Sequence, residues 1–420
     1  MSQSSPAREA ALQILQKVRS GEPFDAAHAA AVAGLRDPDR RLAHEIAAGV
    51  LRNRTALDRV LRPLVRSRWN KVEPDLQDLL RIGTYQITRL ERVPDYAAVQ
   101  ETVEVARRAK GPKGAGLVNA VLRKVTSQAH EPEPDVSAES VHIAERYSHP
   151  RWLVERWVKQ FGCERTVALL EHNNQRPQLV IQPVRWSLDR LRRSLTEADT
   201  GVYDAPLGAG LVVSRGRVEE LAGYTEGGFV VQDPAQARVL QYADVPTGTL
   251  VWDVCASPGG KAAILSRRGR VLATEVRRDR IARLRQTLSR VAPDVPATVA
   301  DGRRPPLGDY SIQCAIVDAP CTATGSLARH PDARWKLSKQ SIARAAELQS
   351  QLLDGASRTI DREGLLIYST CSLEPEENTI QVERFLETHP DFVRDGEDMF
   401  LFPPDNATDG AFAARLRRVR

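Results

Sequence analysis

The stretch Leu250-Val-Trp-Asp-Val-Cys-Ala-Ser-Pro-Gly-Gly-Lys261 passes from an apolar strand into a turn with two glycines. Glycines at 259 and 260 let the backbone turn sharply and come close to a ligand, and a following helix would offer free N–H groups at its start. The loop is neither a Walker A motif nor the dinucleotide G-x-G-x-x-G, so a nucleoside triphosphate is disfavoured. Outward from 250–254 the pattern repeats as strand, loop and helix. Strands are expected over 271–274, 297–299, 314–317 and 365–368, with helices between them such as 278–291 and 341–360. Alternation of this kind predicts an α/β fold with a mostly parallel sheet covered on both faces. Ligands of such sheets bind beyond the carboxyl ends of the strands, so the residues after each strand carry the information.

Those residues form a series. The strand after the glycine loop ends at Glu275, roughly 20 residues on, where an acid can bind ribose hydroxyls. The next strand leads to Asp301-Gly302, placed for an adenine, and the fourth to Asp318-Ala-Pro-Cys321. Any one of these acids alone reads as a surface carboxylate or helix cap. Four successive strand ends bearing an acid or a glycine turn describe an adenosine-shaped site.

The cysteines are Cys163, Cys255, Cys314, Cys321 and Cys371. Their number is odd and no two make a C-x-x-C pair, so neither a disulfide framework nor a metal site is expected. Cys163 and Cys314 read as packing residues. Cys321 and Cys371 follow the fourth and fifth strands, on one edge of a parallel sheet, in Asp318-Ala-Pro-Cys-Thr-Ala-Thr-Gly325 and Tyr368-Ser-Thr-Cys-Ser-Leu-Glu-Pro-Glu-Glu-Asn378. Two thiols in polar loops suit one chemistry well. Carbon 5 of cytosine is a poor nucleophile until a thiolate adds to carbon 6 and breaks the ring conjugation. Carbon 5 can then attack the methyl of a sulfonium, and loss of the carbon-5 proton with elimination of the thiol restores the ring, so one hard step becomes several easier ones. A thiolate needs a helix N-terminus or positive charge nearby. The run Glu374-Pro375-Glu376-Glu377 reads as the first turn of a helix whose dipole would favour a thiolate at Cys371, while its acids would oppose one. Asp318 would hydrogen-bond the N3–N4 edge of the base. His330 is isolated and reads as an RNA contact or a loop residue, not as a general base.

Upstream, the first ~125 residues read as all helix from their 3.6-residue apolar period, with segments at 10–18, 40–52, 75–90, 97–108 and 116–125. Arg107, Arg108, Lys110, Lys113, Arg123 and Lys124 gather late in this block, as either a solvated face or an RNA-facing edge. A proline- and acid-rich linker is expected over 128–140. A small α/β subdomain follows over 141–235, with helices at 152–160, 165–172 and 187–198 and strands at 179–185, 211–213 and 228–231. The catalytic region then spans 236–420, after a helical region of 1–127.

Of the 420 residues, 42% are hydrophobic and 27% charged, as in an ordinary soluble protein. No stretch approaches the ~20 apolar residues that span a bilayer. The N-terminus lacks the apolar core of a signal peptide, so a cytoplasmic protein is expected. A net charge of +6 suits a polyanionic partner, yet it equally suits a merely soluble, mildly basic protein.

On these motifs the chain resembles the NOL1/NOP2/Sun family of RNA 5-methylcytosine methyltransferases. Residues 253–261, Asp318-Ala-Pro-Cys321 and Thr370-Cys371-Ser372 look like its cofactor loop and its two cysteine motifs. Further matches are Arg146-Tyr-Ser-His-Pro-Arg-Trp-Leu153, Val231-Gln-Asp-Pro234, Arg329-His-Pro-Asp332 with Trp335, and Asp409-Gly-Ala-Phe-Ala-Ala-Arg415. The N-terminal helices resemble the NusB-type RNA-binding fold through 39–52, Gly83-Thr-Tyr-Gln86, 93–99 and 116–123. The resemblance implies a class I S-adenosylmethionine methyltransferase, Rossmann-like with a mostly parallel seven-stranded sheet, behind a NusB-like domain and an RNA-recognition-like subdomain. It implies Cys371 as nucleophile, Cys321 as the group assisting release, and Asp318 in the catalytic set. Cofactor contacts carry over to Cys255, Ala256, Ser257, Pro258, Gly259, Gly260, Lys261, Glu275, Asp301 and Asp318. The implied cofactor is S-adenosyl-L-methionine and the implied partner 16S rRNA, with no DNA or membrane partner and a monomeric state. Ala262 departs from the usual threonine, Ala411 from a common aromatic, and Glu275 from aspartate. Alternatives are the same chemistry on tRNA or another rRNA site, and a non-catalytic RNA-binding assembly factor.

Overall fold

Proline at a first turn and acids beside it start the N-terminal helices, because both suit the exposed N–H groups there. Helix α1 (Pro6–Arg19) has Glu9 in its first turn and Lys17 and Arg19 in its last, and buries Ala7, Ala10, Ala11, Ile14, Leu15 and Val18 on one stripe. The structure, a computed structural model, describes residues 6–128 and 140–419. Helices α2 (Phe24–Ala31), α3 (Asp37–Arg52), α4 (Arg54–Leu61) and α5 (Pro74–Arg89) follow. The two segments expected at 97–108 and 116–125 are halves of α6 (Asp95–Gln128), which breaks at Gly111 (φ 70°) before Pro112. Ile14, Ile46, Leu61, Leu79, Leu80 and Leu122 are buried in the shared core. The two short helices α2 and α4 escaped the periodicity reading, since eight residues give barely two turns of pattern. Apart from its end residues, the linker expected over 128–140 lies outside the described residues.

The chain divides into two units. One takes the described residues up to Gln175 together with Leu327–Lys336; the other takes Arg176–Ser326 and the chain from Leu337. Helices α7 (Ser140–Arg146), α8 (Arg151–Phe161) and α9 (Cys163–Asn174), which the sequence places largely with the middle subdomain, therefore group with the helical unit. The reason lies in Arg334. Its fully buried guanidinium donates to Arg52 O and Ser148 O (3.3 Å each), to Asn174 Oδ1 (2.7 Å) and to Asn173 O (2.8 Å). Trp335 Nε1 donates to Leu51 O at 2.8 Å. Cys163 is exposed rather than a packing residue: it opens α9 directly after Gly162, before the buried stripe begins.

The second unit begins with an antiparallel sheet of β1 (Leu179–Pro183), β2 (Val202–Asp204), β3 (Leu211–Val213) and β4 (Phe229–Val231), in the order β2-β3-β1-β4. Helix α10 (Leu188–Glu197), capped by the Ser187 hydroxyl, packs Leu191 and Leu195 against Ile181, Leu211 and Phe229.

After α11 (Pro234–Ala243) come β5 (Leu250–Asp253), α12 (Gly260–Leu265), β6 (Arg270–Glu275), α13 (Arg278–Val291), β7 (Ala297–Val299), β8 (Ile312–Asp318), α14 (Lys339–Thr359) and β9 (Ile360–Thr370). Then follow α15 (Thr379–Thr388), β10 (Phe392–Arg394), β11 (Met399–Leu401) and β12 (Ala411–Arg418). The sheet order is β10-β12-β9-β8-β5-β6-β7, with β11 paired to β12 off this path. Strands β5 to β9 are parallel and β12 is antiparallel to its three neighbours. This is the expected mostly parallel seven-stranded class I methyltransferase sheet, with one extra strand. Alternate residues explain why helices cover both faces. Val251, Cys314, Ile316, Leu365 and Ile367 bury on one side, and Trp252, Ala315, Val317, Leu366 and Tyr368 on the other. Cys314 is thus a packing residue.

Candidate active site

Parallel register brings the carboxyl ends of β5, β6, β8 and β9 to one edge, with Asp253 opposite Ile316 and Asp318 opposite Ser369. The loop between β5 and α12 turns at Gly259 (φ 111°), where a Cβ would also come within 3.0 Å of Leu284. Asp253 at its base is buried, and neither carboxylate oxygen has a hydrogen-bond partner. Burial, then the Asp318 charge, pushes its carboxyl up to about 7. Burial, then Asp253, pushes the Cys255 thiol well up, so this cysteine stands at the loop as a neutral group. Ala256, Ser257 and Pro258 complete the turn; the Ser257 hydroxyl donates to Arg280 O at 3.2 Å.

The other acids are held differently. Glu275 is buried and accepts from the Arg277 amide at 2.9 Å. Asp301 accepts from Arg303, whose guanidinium holds its carboxyl below the usual range. Asp318 is doubly engaged. The buried Lys261 ammonium donates to Oδ2 at 2.7 Å and the Ser369 hydroxyl to Oδ1 at 2.9 Å. Lys261 also donates to Gln236 Oε1. The ammonium expected at the cofactor loop therefore belongs equally to Asp318, and marks that carboxylate as a charged, oriented group.

Two loops converge beyond Asp318. Cys321 Sγ and Cys371 Sγ lie 3.3 Å apart. The Gly325 amide donates to Cys371 O at 2.9 Å and the Gly410 amide to Gly325 O at 2.7 Å. A Cβ on Gly325 would stand 2.7 Å from Cys371 O and 2.8 Å from Gly410 Cα, so only glycine fits. The hydrogen bond with Cys371, then burial, pushes the Cys321 thiol well above its ordinary value.

The run from Glu374 differs from expectation. Pro375–Glu377 makes a 3₁₀ turn, and the chain leaves helical geometry at Asn378 (φ −120°, ψ −107°) before α15 begins. The α-helix therefore begins at Thr379, not at Glu374. The reason is that the Glu377 side chain turns inward: fully buried, it accepts from the Thr322 amide, Gln349 Nε2, the Ser372 hydroxyl and the Thr322 hydroxyl. Asn378 Nδ2 donates to Ser372 O at 2.8 Å, and the Thr370 hydroxyl donates to Asn378 Oδ1 at 2.6 Å. Glu377, Asn378 and Ser369 are the site residues missed from sequence. Their only signal was a density of Ser, Thr and Asn beside acids, which surface loops share.

His330 and the basic residues singled out from sequence belong to the helical unit. His330 is exposed and falls in the segment that belongs to the helical unit. In that unit Arg107 and Arg108 pair with Glu104, Arg108 also with Glu9, and Lys110 with Glu73 and Asp75. Lys113, Arg123 and Lys124 are exposed.

Residues 240–417 match the family described as 16S rRNA methyltransferase RsmB/F. Residues 5–127 match the NusB family, and residues 149–216 the ferredoxin-like domain of RsmF/B-like methyltransferases. The chain is 33% identical over 423 residues to the ribosomal RNA small subunit methyltransferase B of Vibrio cholerae, covering 97% of this chain and 96% of that protein. It is 32% identical over 424 residues to that of Yersinia pseudotuberculosis, covering 97% of each. The crystal structure of the protein PH0851 shares the fold, with a TM-score of 0.83 at 23% identity over 100% of both chains. S-adenosyl-L-methionine is the cofactor of such a methyltransferase, and the residues fit it. An orphaned buried carboxylate at 253 and acids at the neighbouring strand ends suit a cationic sulfonium, and the Gly259 turn leaves backbone free to meet it. The chain belongs to the RsmB/F family of 16S rRNA methyltransferases.

Proposed function

We propose that this protein methylates carbon 5 of a cytosine in 16S rRNA, with Cys371 bonding to carbon 6 and Cys321 assisting elimination. The observation that carries the reading is the pair of sulfurs 3.3 Å apart, beside the Lys261–Asp318 ion pair at the carboxyl edge of the sheet. Cys371 adds to carbon 6, and the electrons displaced from the carbon 5–carbon 6 bond make carbon 5 nucleophilic. Asp318, oriented by Lys261 and Ser369, accepts from the amino edge of the base and holds it for attack. Residues 255–261 with Glu275 and Asp301 would hold the cofactor, which would supply an activated methyl group at carbon 5. Loss of the carbon-5 proton then drives the electron pair of that C–H bond into the ring and expels the Cys371 sulfur. The enzyme is read as a cytoplasmic monomer whose partner is ribosomal RNA, not DNA or membrane.

Tritiated methyl transfer to undermethylated 30S rRNA tests this. The wild type should label carbon 5 of cytosine and Cys371→Ala should not. Cys321→Ala should accumulate a covalent RNA adduct that survives a denaturing gel, because release is blocked after attack. An adduct in Cys371→Ala but not in Cys321→Ala would reverse the two roles. Label confined to a tRNA cytosine would reject the rRNA assignment.

A further inference from the structure

We propose that the Glu377 carboxylate is the positioning residue of the cysteine pair, setting both the spacing and the sharing of the proton between Cys321 and Cys371. This rests on the reading of those two cysteines as the reacting pair. Thr322 and Ser372 are the residues that immediately follow the two cysteines, and Glu377 grips both. Oε2 accepts from the Thr322 amide at 2.9 Å and from Gln349 Nε2 at 2.9 Å. Oε1 accepts from the Ser372 hydroxyl at 2.7 Å and from the Thr322 hydroxyl. Gln349 Nε2 also donates to Pro320 O at 3.0 Å, on the other side of Cys321.

Every one of these groups is a donor. Two of them, the Thr322 amide and the Gln349 amide, can act only as donors and both meet Oε2, while the two hydroxyls at Oε1 can donate or accept. Four such groups around one carboxyl solvate its ionised form. None of the four partners is a cation, and the residue is fully buried. Burying a charge without a counter-ion is costly unless hydrogen bonds solvate it, as four do here. Apolar packing would hold two loops together without that cost, so the charge itself has consequences for its neighbours.

The consequence falls on Cys321. A negative charge beside a thiol disfavours its ionised form, and Glu377 is among the groups that push the Cys321 thiol up. Cys321 then keeps its proton and can donate to the Cys371 sulfur. When the carbon 6–sulfur bond breaks, its electron pair goes to Cys371, and the Cys321 proton meets it there. One carboxylate thus keeps the assisting thiol protonated and holds it in reach of the leaving sulfur.

Glu377→Gln in the full-length protein tests this, because it keeps the shape, still accepts at one atom and removes the charge. Two measurements are needed. The first is alkylation of Cys321 and Cys371 by iodoacetamide without RNA, followed by peptide mass spectrometry between about pH 7 and 11. The expected result is a Cys321 midpoint moved to lower pH by about one unit or more, since an opposing charge is gone. The second is methyl transfer, where kcat should fall about tenfold or more while KM for rRNA and cofactor affinity stay within about twofold. Should Glu377→Gln not fold, Thr322→Val removes one hydroxyl donor and should lower kcat in the same direction by a smaller factor. A folded Glu377→Gln with wild-type alkylation midpoints, or with wild-type kcat, overturns the proposal. So does a folded Thr322→Val with unchanged turnover when Glu377→Gln does not fold. Wild type that labels no cytosine would instead sink the functional reading, and the alkylation midpoints would still decide the role of Glu377.

Discussion

Asp253 sits in surroundings that match its charge poorly. It is buried, both oxygens lack partners, and its carboxyl is raised to about 7 against an ordinary 3.8. Between those values the native state binds a proton that the unfolded chain has released. The stability this group contributes is therefore present at low pH and lost as pH rises through about 7. Asp253→Asn should remove that loss. Relative to wild type it should gain stability between pH 5 and 8, by up to about 4 kcal/mol if the full shift is realised. Urea unfolding of both proteins across that range checks this, and parallel pH curves would contradict it. Glu275, Asp301 and Asp318 were legible as strand-end acids because a strand's last residue can be counted off from its apolar run. What each one touches was not legible. Lys261 lies 57 residues from Asp318 and Ser369 lies 51 away, and no local rule joins them.

At the scale of elements, the seam between the two cysteine loops depends on close backbone approach. Gly325 faces Cys371 O and Gly410, so Gly325→Ala must push the Cys371 loop aside. Methyl transfer should fall about tenfold or more, since misplacing a reacting group by an ångström can cost about a hundredfold. Cofactor binding by calorimetry should stay near wild type, because the Gly259 turn is untouched. Equal losses of both would mean that the seam is only structural. Strands β1 and β3 to β9 and the long helices were readable from periodicity, most to within a few residues, whereas β2 and β10 to β12 were not. The turn at Pro375–Glu377 was not. Proline followed by acids starts helices generally, but here the glutamate finds better partners across the seam than along a helix.

For the molecule as a whole, the ten residues Leu327–Lys336 are the unexpected feature, leaving the methyltransferase chain to complete the helical unit. Arg334 has four hydrogen bonds and no carboxylate among those partners, and burial lowers its guanidinium to about 9. Arg334→Met would leave several buried acceptors unpaired, at about 1–3 kcal/mol each before relaxation. A total loss of about 3 kcal/mol or more is expected by chemical denaturation, and a loss under about 1 kcal/mol would show that the segment is not held by this residue. Composition offered no hint of this, because an arginine followed by tryptophan reads as an exposed RNA contact as readily as a core staple.

The alternation of strands and helices up to β9, the glycine turn, the acids after the strands and the pair of cysteines follow from the sequence alone. Each is set by periodicity or turn chemistry within a few neighbouring residues. The bridge at Glu377, the Lys261–Asp318 pair and the recruitment of Leu327–Lys336 into the helical unit were decided only by the tertiary structure. They join side chains separated by tens to hundreds of positions, and such partners meet only once sheet register and helix packing have brought distant segments together.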